Sequence, residues 1–132
     1  TIAPEILGVM GKQDPLSPEG KAGLSQAFQA TTAFIDSSGH CLFIAFAILD
    51  IATGYEGMID EANGVYGTSW TADDVLQYGK DVLKVERKFN EAAGISKEAD
   101  RMPEFMLTEP LPPHGQVFDI SDDALDSVYG DL

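Results

Sequence analysis

The chain has one cysteine in 132 residues, Cys41. A single thiol excludes an intramolecular disulfide framework and suits a reducing compartment. Positive charge is scarce too: 8 Lys and Arg stand against 22 Asp and Glu, a net charge of −14. Binding to nucleic-acid phosphates calls for clustered cations, so this balance disfavours a nucleic-acid partner and, equally, an anionic membrane. Long hydrophobic runs are missing. The longest, Cys41 to Leu49, falls far short of the roughly 20 residues that span a bilayer, and reads instead as a buried core helix. Four common chemical signatures are absent: a Gly-rich phosphate loop, Cys-x-x-Cys, His-Glu-x-x-His and a serine nucleophile elbow. Thr1 to Glu5 carry no basic segment. No signal peptide is therefore expected, and the chain reads as cytoplasmic.

What is present suits one globular domain of residues 1–132 with a single core, since 44% of residues are hydrophobic. No strand-type alternation stands out, so the expected class is all-α, with four to five helices and a long Pro-rich C-terminal segment. Residues 1–16, with Pro4, Gly8, Gly11 and Pro15, read as a connector. Ser17-Pro18-Glu19 reads as the start of a helix running to about Ile35. Ser37-Ser38-Gly39 ends it. A second helix is expected over 41–52, apolar nearly all round and hence buried on most sides. A third, over 55–66, is weakened by Gly57 and Gly64.

The strongest helix spans 72–93. Thr71 and Asp74 form a capping box, Gly94 suits the position past its end, and Val75, Val82, Phe89 and Ala93 share one face. Gly79 within that stripe implies a close helix approach. Lys80, Lys84 and Lys88 make a basic row beside Arg87, readable as a solvated face or as a dock for an acidic partner or the chain's own acidic tail. Glu86 and Asn90 lie near the apolar stripe, where a carboxylate would need a partner. Residues 94–120 read as irregular, with His114 exposed in a loop. Ser121 caps a last helix over 122–130.

The chemistry concentrates in Asp36-Ser37-Ser38-Gly39-His40-Cys41. Cys41 follows a turn at a helix start, where the dipole favours a thiolate and hence a metal ligand; a buried cysteine of no chemical role is the alternative. Asp36 either accepts a hydrogen bond from a ligand N–H or caps the turn or the next helix. Gly39 permits a backbone conformation closed to most residues. His40 either donates to a ligand or is held by a structural partner. His40 and Cys41 could also pair across a dimer to make a four-ligand zinc site. One thiol cannot hold a [4Fe–4S] cluster, which takes four. The loop is therefore part of a site completed elsewhere.

Three pieces in order resemble the C-terminal domain of the tungsten-containing aldehyde ferredoxin oxidoreductase family. Asp36-Ser-Ser-Gly-His-Cys41 resembles its Asp-x-x-Gly-Leu-Cys element, with His40 in place of the usual Leu. Glu86-Arg-Lys-Phe-Asn90 resembles its Glu-Arg-x-Phe-Asn segment. Met102-Pro-Glu-Phe-Met-Leu-Thr-Glu-Pro-Leu111 resembles the Pro-rich stretch that follows. The resemblance spans roughly residues 17–130.

It implies a bis-pterin tungsten cofactor beside a [4Fe–4S] cluster. Asp36 would hydrogen-bond one pterin, Gly39 and His40 would belong to the same cofactor-binding loop with His40 contacting the pterin through its backbone, and Cys41 would be the fourth cluster ligand. The reaction implied is oxidation of a small aldehyde to a carboxylic acid, with ferredoxin as electron acceptor. The partners implied are the remaining domains of the enzyme, which would carry the other three cluster cysteines. The isolated chain is then expected to bind neither cofactor and to be inactive. It is also expected to expose an apolar patch around Phe43, Phe46 and residues 36–41, and to tend to dimerise. The competing expectation is a stand-alone acidic helical interaction module without cofactors, docking through the basic row and residues 103–115.

Overall fold

The computed structural model describes residues 13–130 and 132. The described part of the expected connector, residues 13–16, has no helix or strand, and residues 1–12 lie outside the described residues. Among the described residues six α-helices follow: α1 (Lys21–Ser37), α2 (Ala45–Asp50), α3 (Ala52–Tyr66), α4 (Ala72–Ala92), α5 (Glu104–Thr108) and α6 (Asp122–Gly130). Short 3₁₀ turns cover Leu42–Ile44 and Lys97–Ala99. Among the described residues there is no β-strand, only an isolated bridge between Leu111 and Gln116. The class is all-α, as the sequence implies. No described helix is long and apolar enough to cross a membrane.

The core forms where α1, α2, α3 and the start of α4 meet. Phe34 and Ile35 of α1, Ile48 of α2, Tyr55, Met58, Ile59 and Ala62 of α3, and Val75 of α4 make one buried cluster. In α3 these residues recur at helical spacing and form the core-facing stripe that Gly57 and Gly64 obscure in the sequence. Burial pushes the Tyr55 hydroxyl to about 12, so it stays protonated at neutral pH.

The axis of the fold is the crossing of α1 and α4. A Cβ added to Gly79 would lie 2.0 Å from the Ala30 carbonyl oxygen and 2.7 Å from its carbon. No real contact is that short, so the two backbones touch with no side chain between them. The close approach expected at Gly79 is observed. So is the start of α4: Thr71 Oγ1 accepts from the Asp74 amide at 3.3 Å, and Asp74 Oδ2 accepts from the Thr71 amide at 2.8 Å. The Thr71 amide, and the Thr71 hydroxyl donating to Asp74 Oδ2 at 2.7 Å, hold the Asp74 carboxyl below its ordinary range. At the far end Gly94 takes φ +83°. Its amide reaches Glu91 O, and the Ile95 amide reaches Asn90 O at 2.9 Å, which is a Schellman closure.

Four expectations need correction. Ser17 does not start α1. Its hydroxyl accepts from the Glu19 amide in a local turn, and the helix begins only after Gly20, whose φ of +73° breaks any continuation from 17–19. The single helix over 41–52 is divided: a 3₁₀ turn leads into α2, and extended backbone at Ile51 (φ −130°, ψ 106°) separates α2 from α3. This segment is also not buried on most sides, because Phe43 is 76% and Phe46 70% exposed. Finally, Glu86 is exposed, and Asn90 acts through its backbone carbonyl in the α4 closure. The stripe on α4 is buried only at its N-terminal end, around Val75 and Gly79; Phe89 faces solvent.

Helix α6 packs on α1 and α4. Gln26 Nε2 donates to Val128 O at 2.7 Å, Tyr129 OH donates to Gln29 Oε1 at 2.9 Å, and the Arg87 guanidinium lies 4.8 Å over the Tyr129 ring. Asp126 joins the helix to the preceding segment, accepting from Lys97 Nζ at 2.9 Å and Arg101 Nη2 at 2.8 Å. Part of the basic row is thus occupied internally. Lys84 donates to Leu132 O at 3.0 Å, and Arg87 is paired with Asp100. The Pro-rich segment is more ordered than expected, holding α5 and a bond from the Phe118 amide to Met106 O. His114 is exposed, as the sequence implies.

Two outcomes test this packing. Gly79→Ala must push α1 from α4, and we expect a loss of about 2–3 kcal/mol in urea unfolding. Asp126 is held below the usual carboxylate range, first by its hydrogen bonds from Lys97 and Arg101. A carboxyl depressed in the folded state stabilises fully above its unfolded value of about 3.9, and that contribution is lost as pH falls through the folded value. Asp126→Asn should therefore lower the melting temperature at neutral pH. The gap from the parent should close as pH drops below the ordinary carboxylate range.

Candidate functional site

The four residues singled out in the sequence lie on one turn at the C-terminal end of α1. The turn is built from behind. Ser37 Oγ donates to Ala33 O at 2.7 Å and Ser38 Oγ donates to Ile35 O at 2.7 Å, tying the last turn of α1 to itself. Gly39 then takes φ +83°, a conformation that costs a side-chain-bearing residue strain. Cys41 is extended (φ −70°, ψ 138°), and its carbonyl accepts from the Ile44 amide at 2.9 Å to open the 3₁₀ turn.

His40 fastens the turn to α3. Its Nδ1 is 2.9 Å from Ser38 Oγ and its Nε2 is 3.1 Å from Glu61 Oε2. In the neutral ring with its proton on Nε2, the carboxylate accepts from Nε2–H while Nδ1 faces the Ser38 hydroxyl. Both ring nitrogens therefore have a polar partner within the domain. This fits the structural-partner alternative for His40.

Asp36 and Cys41 differ from these residues in being free. Both are exposed. Among the described residues no hydrogen bond to the Asp36 carboxylate is found, and the turn is capped by Ser37 and Ser38, so Asp36 does not cap it. The expectation that Cys41 starts a substantial helix is corrected. It precedes a three-residue 3₁₀ turn and the six-residue α2, so the helix-dipole argument for its thiolate has no long helix behind it. No group of three or more potential metal ligands occurs among the described residues. The turn fits a cofactor as one edge of a site, offering one carboxylate acceptor and one thiol; it is no cage by itself.

Beside the turn, α1, α3 and α4 enclose a cleft of about 380 Å³. Its walls are aromatic. Phe34 meets Tyr78 edge-on at 6.3 Å, Tyr78 lies 5.6 Å from Trp70, and Trp70 lies 6.5 Å from Tyr66. Ser38, His40 and Glu61 form its polar end. Sequence reasoning missed this cleft, because its residues come from three helices and one linker. Trp70, the only tryptophan, was the one available signal. Its place depends on Asn63: Asn63 Oδ1 accepts from the Trp70 amide at 2.7 Å, and Asn63 Nδ2 donates to Trp70 O at 3.0 Å.

The family described as aldehyde ferredoxin oxidoreductase, domains 2 and 3, matches residues 1–131. Tungsten-containing aldehyde ferredoxin oxidoreductases of Pyrococcus furiosus and Pyrococcus horikoshii are 37% identical to the chain over 113 and 114 residues, and that of Thermococcus kodakarensis is 36% identical over 114. Each match takes in 84% of this chain but only 18% of the relative. No solved structure matches the chain.

Removing the His40 ring should loosen the turn without unfolding the domain. For His40→Ala we expect faster amide hydrogen exchange across residues 38–42 and a stability change below about 1 kcal/mol, because Glu61 is largely exposed.

Proposed function

The chain belongs to the aldehyde ferredoxin oxidoreductase family, and we propose that it is the C-terminal segment of a tungsten enzyme oxidising aldehydes to carboxylic acids. In the reaction, one aldehyde and one water become one carboxylic acid, two protons and two electrons, the electrons leaving to ferredoxin. The observation that carries this reading is the pair of free groups on one stiffened turn: the Asp36 carboxylate and the Cys41 thiol. In a domain complete in itself, such a turn would have little cause to be fixed so firmly from behind.

Each residue has a definite task on this reading. Asp36 accepts a hydrogen bond from an N–H of a pterin and sets that ring's orientation. Cys41 supplies the fourth thiolate of a [4Fe–4S] cluster, and the other three come from the rest of the polypeptide. Gly39 turns the backbone so that both groups come from one loop. His40, tied to Ser38 and Glu61, holds the turn at the distance the two cofactors require. The tungsten cofactor, when bound, supplies the two-electron chemistry; this chain's residues position its edge and exclude water there. The aromatic cleft next to the turn is a place where an apolar substrate tail could lodge. The chain spans about 18% of the relatives' length. The site is therefore shared, and the isolated 132 residues are expected to hold neither cofactor nor to turn over.

Anaerobic iron, sulfide and tungsten analysis decides the matter. It should compare the 132-residue chain with the longest natural polypeptide containing it. We expect metal only in the longer form, and loss of cluster iron in its Cys41→Ser variant. One iron–sulfur cluster per isolated 132-residue chain would overturn the shared-site reading. Absence of metal from both forms would favour an interaction module that has kept the fold.

A further inference from the structure

The aromatic cleft between α1, α3 and α4 has a fixed shape. Phe34, Tyr66, Trp70 and Tyr78 line about 380 Å³ of space, a volume within the range of small-molecule sites. Phe34 and Tyr78 stand at 87° to each other, and Trp70 is tilted 36° from Tyr78 and 34° from Tyr66. Trp70 is held from behind. Asn63 Oδ1 accepts from Thr68 Oγ1 and from the Trp70 amide, each at 2.7 Å, and Asn63 Nδ2 donates to Trp70 O at 3.0 Å. Gly67, at φ +65°, ends α3 so that this short linker can turn back to Asn63. A ring fixed in advance loses little freedom when a ligand arrives.

The electrostatics of the cleft have one sign. The face of an aromatic ring is its negative part. The carboxylate of Glu61 lines the cleft, and no Lys or Arg does. Glu61 Oε2 holds the His40 ring at 3.1 Å, and among the described residues no hydrogen bond to Glu61 Oε1 is found. The side chain is 62% exposed, so it stands where the cleft opens to solvent. The net charge of −14 attracts cations to the whole surface and repels anions.

We propose that this cleft binds a small organic cation, a protonated amine or quaternary ammonium carried on an apolar body. The cationic head pairs with Glu61 and lies against the Trp70 and Tyr78 rings, and the apolar body fills the space toward Phe34. A metal ion would find one carboxylate among rings, which is too few donors. A neutral apolar molecule would leave the carboxylate unused. One ring face at a partly exposed site favours a cation by roughly two- to fivefold, and an exposed carboxylate adds a similar factor. Together they predict a preference of about tenfold over an uncharged molecule of the same shape. The site needs only the fold, and does not rest on the tungsten and cluster reading above.

The test uses the longest natural polypeptide containing the chain, labelled with fluorotryptophan and followed by fluorine NMR. The Trp70 resonance is the one lost in Trp70→Phe. Three probes are titrated: phenyltrimethylammonium, its uncharged isostere tert-butylbenzene, and benzenesulfonate as the anion. We expect the ammonium to shift the Trp70 resonance saturably and to bind about tenfold more tightly than the isostere, with benzenesulfonate weakest. Glu61→Gln should remove several-fold of the ammonium's advantage and leave the isostere unchanged. Glu61 is exposed, and Gln still accepts from His40 Nε2–H, so the variant keeps its fold and its turn; circular dichroism checks this. Equal binding of ammonium and isostere would overturn the proposal and leave a merely apolar cleft. So would tighter binding of the anion, an ammonium affinity unaffected by Glu61→Gln, or no shift at Trp70 with any probe. A polypeptide that binds the ammonium yet holds no metal would support this site and refute the proposed function. One that holds its metals and ignores the ammonium would do the reverse.

Discussion

The backbones of α1 and α4 meet at Ala30 and Gly79 with no side chain between them, and most of the molecule is arranged around that crossing. It lets Phe34, one turn further along α1, set its ring edge against Tyr78. It brings Val75 into the core beside Ile35 and Ile48. It also makes the ledge on which α6 packs, through Gln26, Gln29 and Arg87. Any side chain at 79 would separate the helices and shift everything that leans on both.

The turn at the end of α1 inherits its position from this crossing. Its polar groups fall into two sets. Ser37, Ser38 and His40 are hydrogen-bonded to α1 and α3, while Asp36 and Cys41 are exposed and have no hydrogen-bond partner for their side chains among the described residues. A polar group that a fold does not use for itself remains available to something else. The apolar side chains that follow repeat the pattern, with Ile44 and Ile48 turned in and Phe43 and Phe46 turned out. Both observations describe an incomplete surface, and both lie within one stretch of thirteen residues, 36–48.

Electrostatics support the architecture at its other end. The scarce cations are concentrated where acidic α6 must be held: Lys97 and Arg101 on Asp126, Arg101 on Asp122, and Arg87 over Tyr129. At −14 the chain repels itself overall. Placing its Lys and Arg beside the carboxylates of α6 relieves that repulsion locally. Of the basic row read along α4, Lys84 and Arg87 reach the chain's own C-terminal part, through Leu132 O and the Tyr129 ring.

How much was legible depended on how far each feature reaches along the chain. The limits of α4 could be read because capping is local: Thr71 needs only Asp74, and Gly94 needs only the carbonyls just before it. The role of Gly79 was legible too, since a glycine amid an apolar stripe weakens its helix unless a neighbouring backbone needs the space. The Asp36–Cys41 turn stood out because its residue types are unusual together. Ser17 misled because a good capping residue is outweighed by a left-handed glycine three positions later. The segment 41–52 misled because its composition records burial without recording by what. The aromatic cleft was invisible, since Phe34, Tyr66, Trp70 and Tyr78 are neighbours only after three helices have packed. By itself, then, the sequence determined the all-α class, the long helix α4 with its caps and the family to which the chain belongs, all carried by short-range periodicity and by motifs contiguous in the chain. Only the tertiary structure decided which side of each apolar segment is covered and which polar groups remain free, because burial and hydrogen-bond satisfaction are relations between residues far apart in sequence.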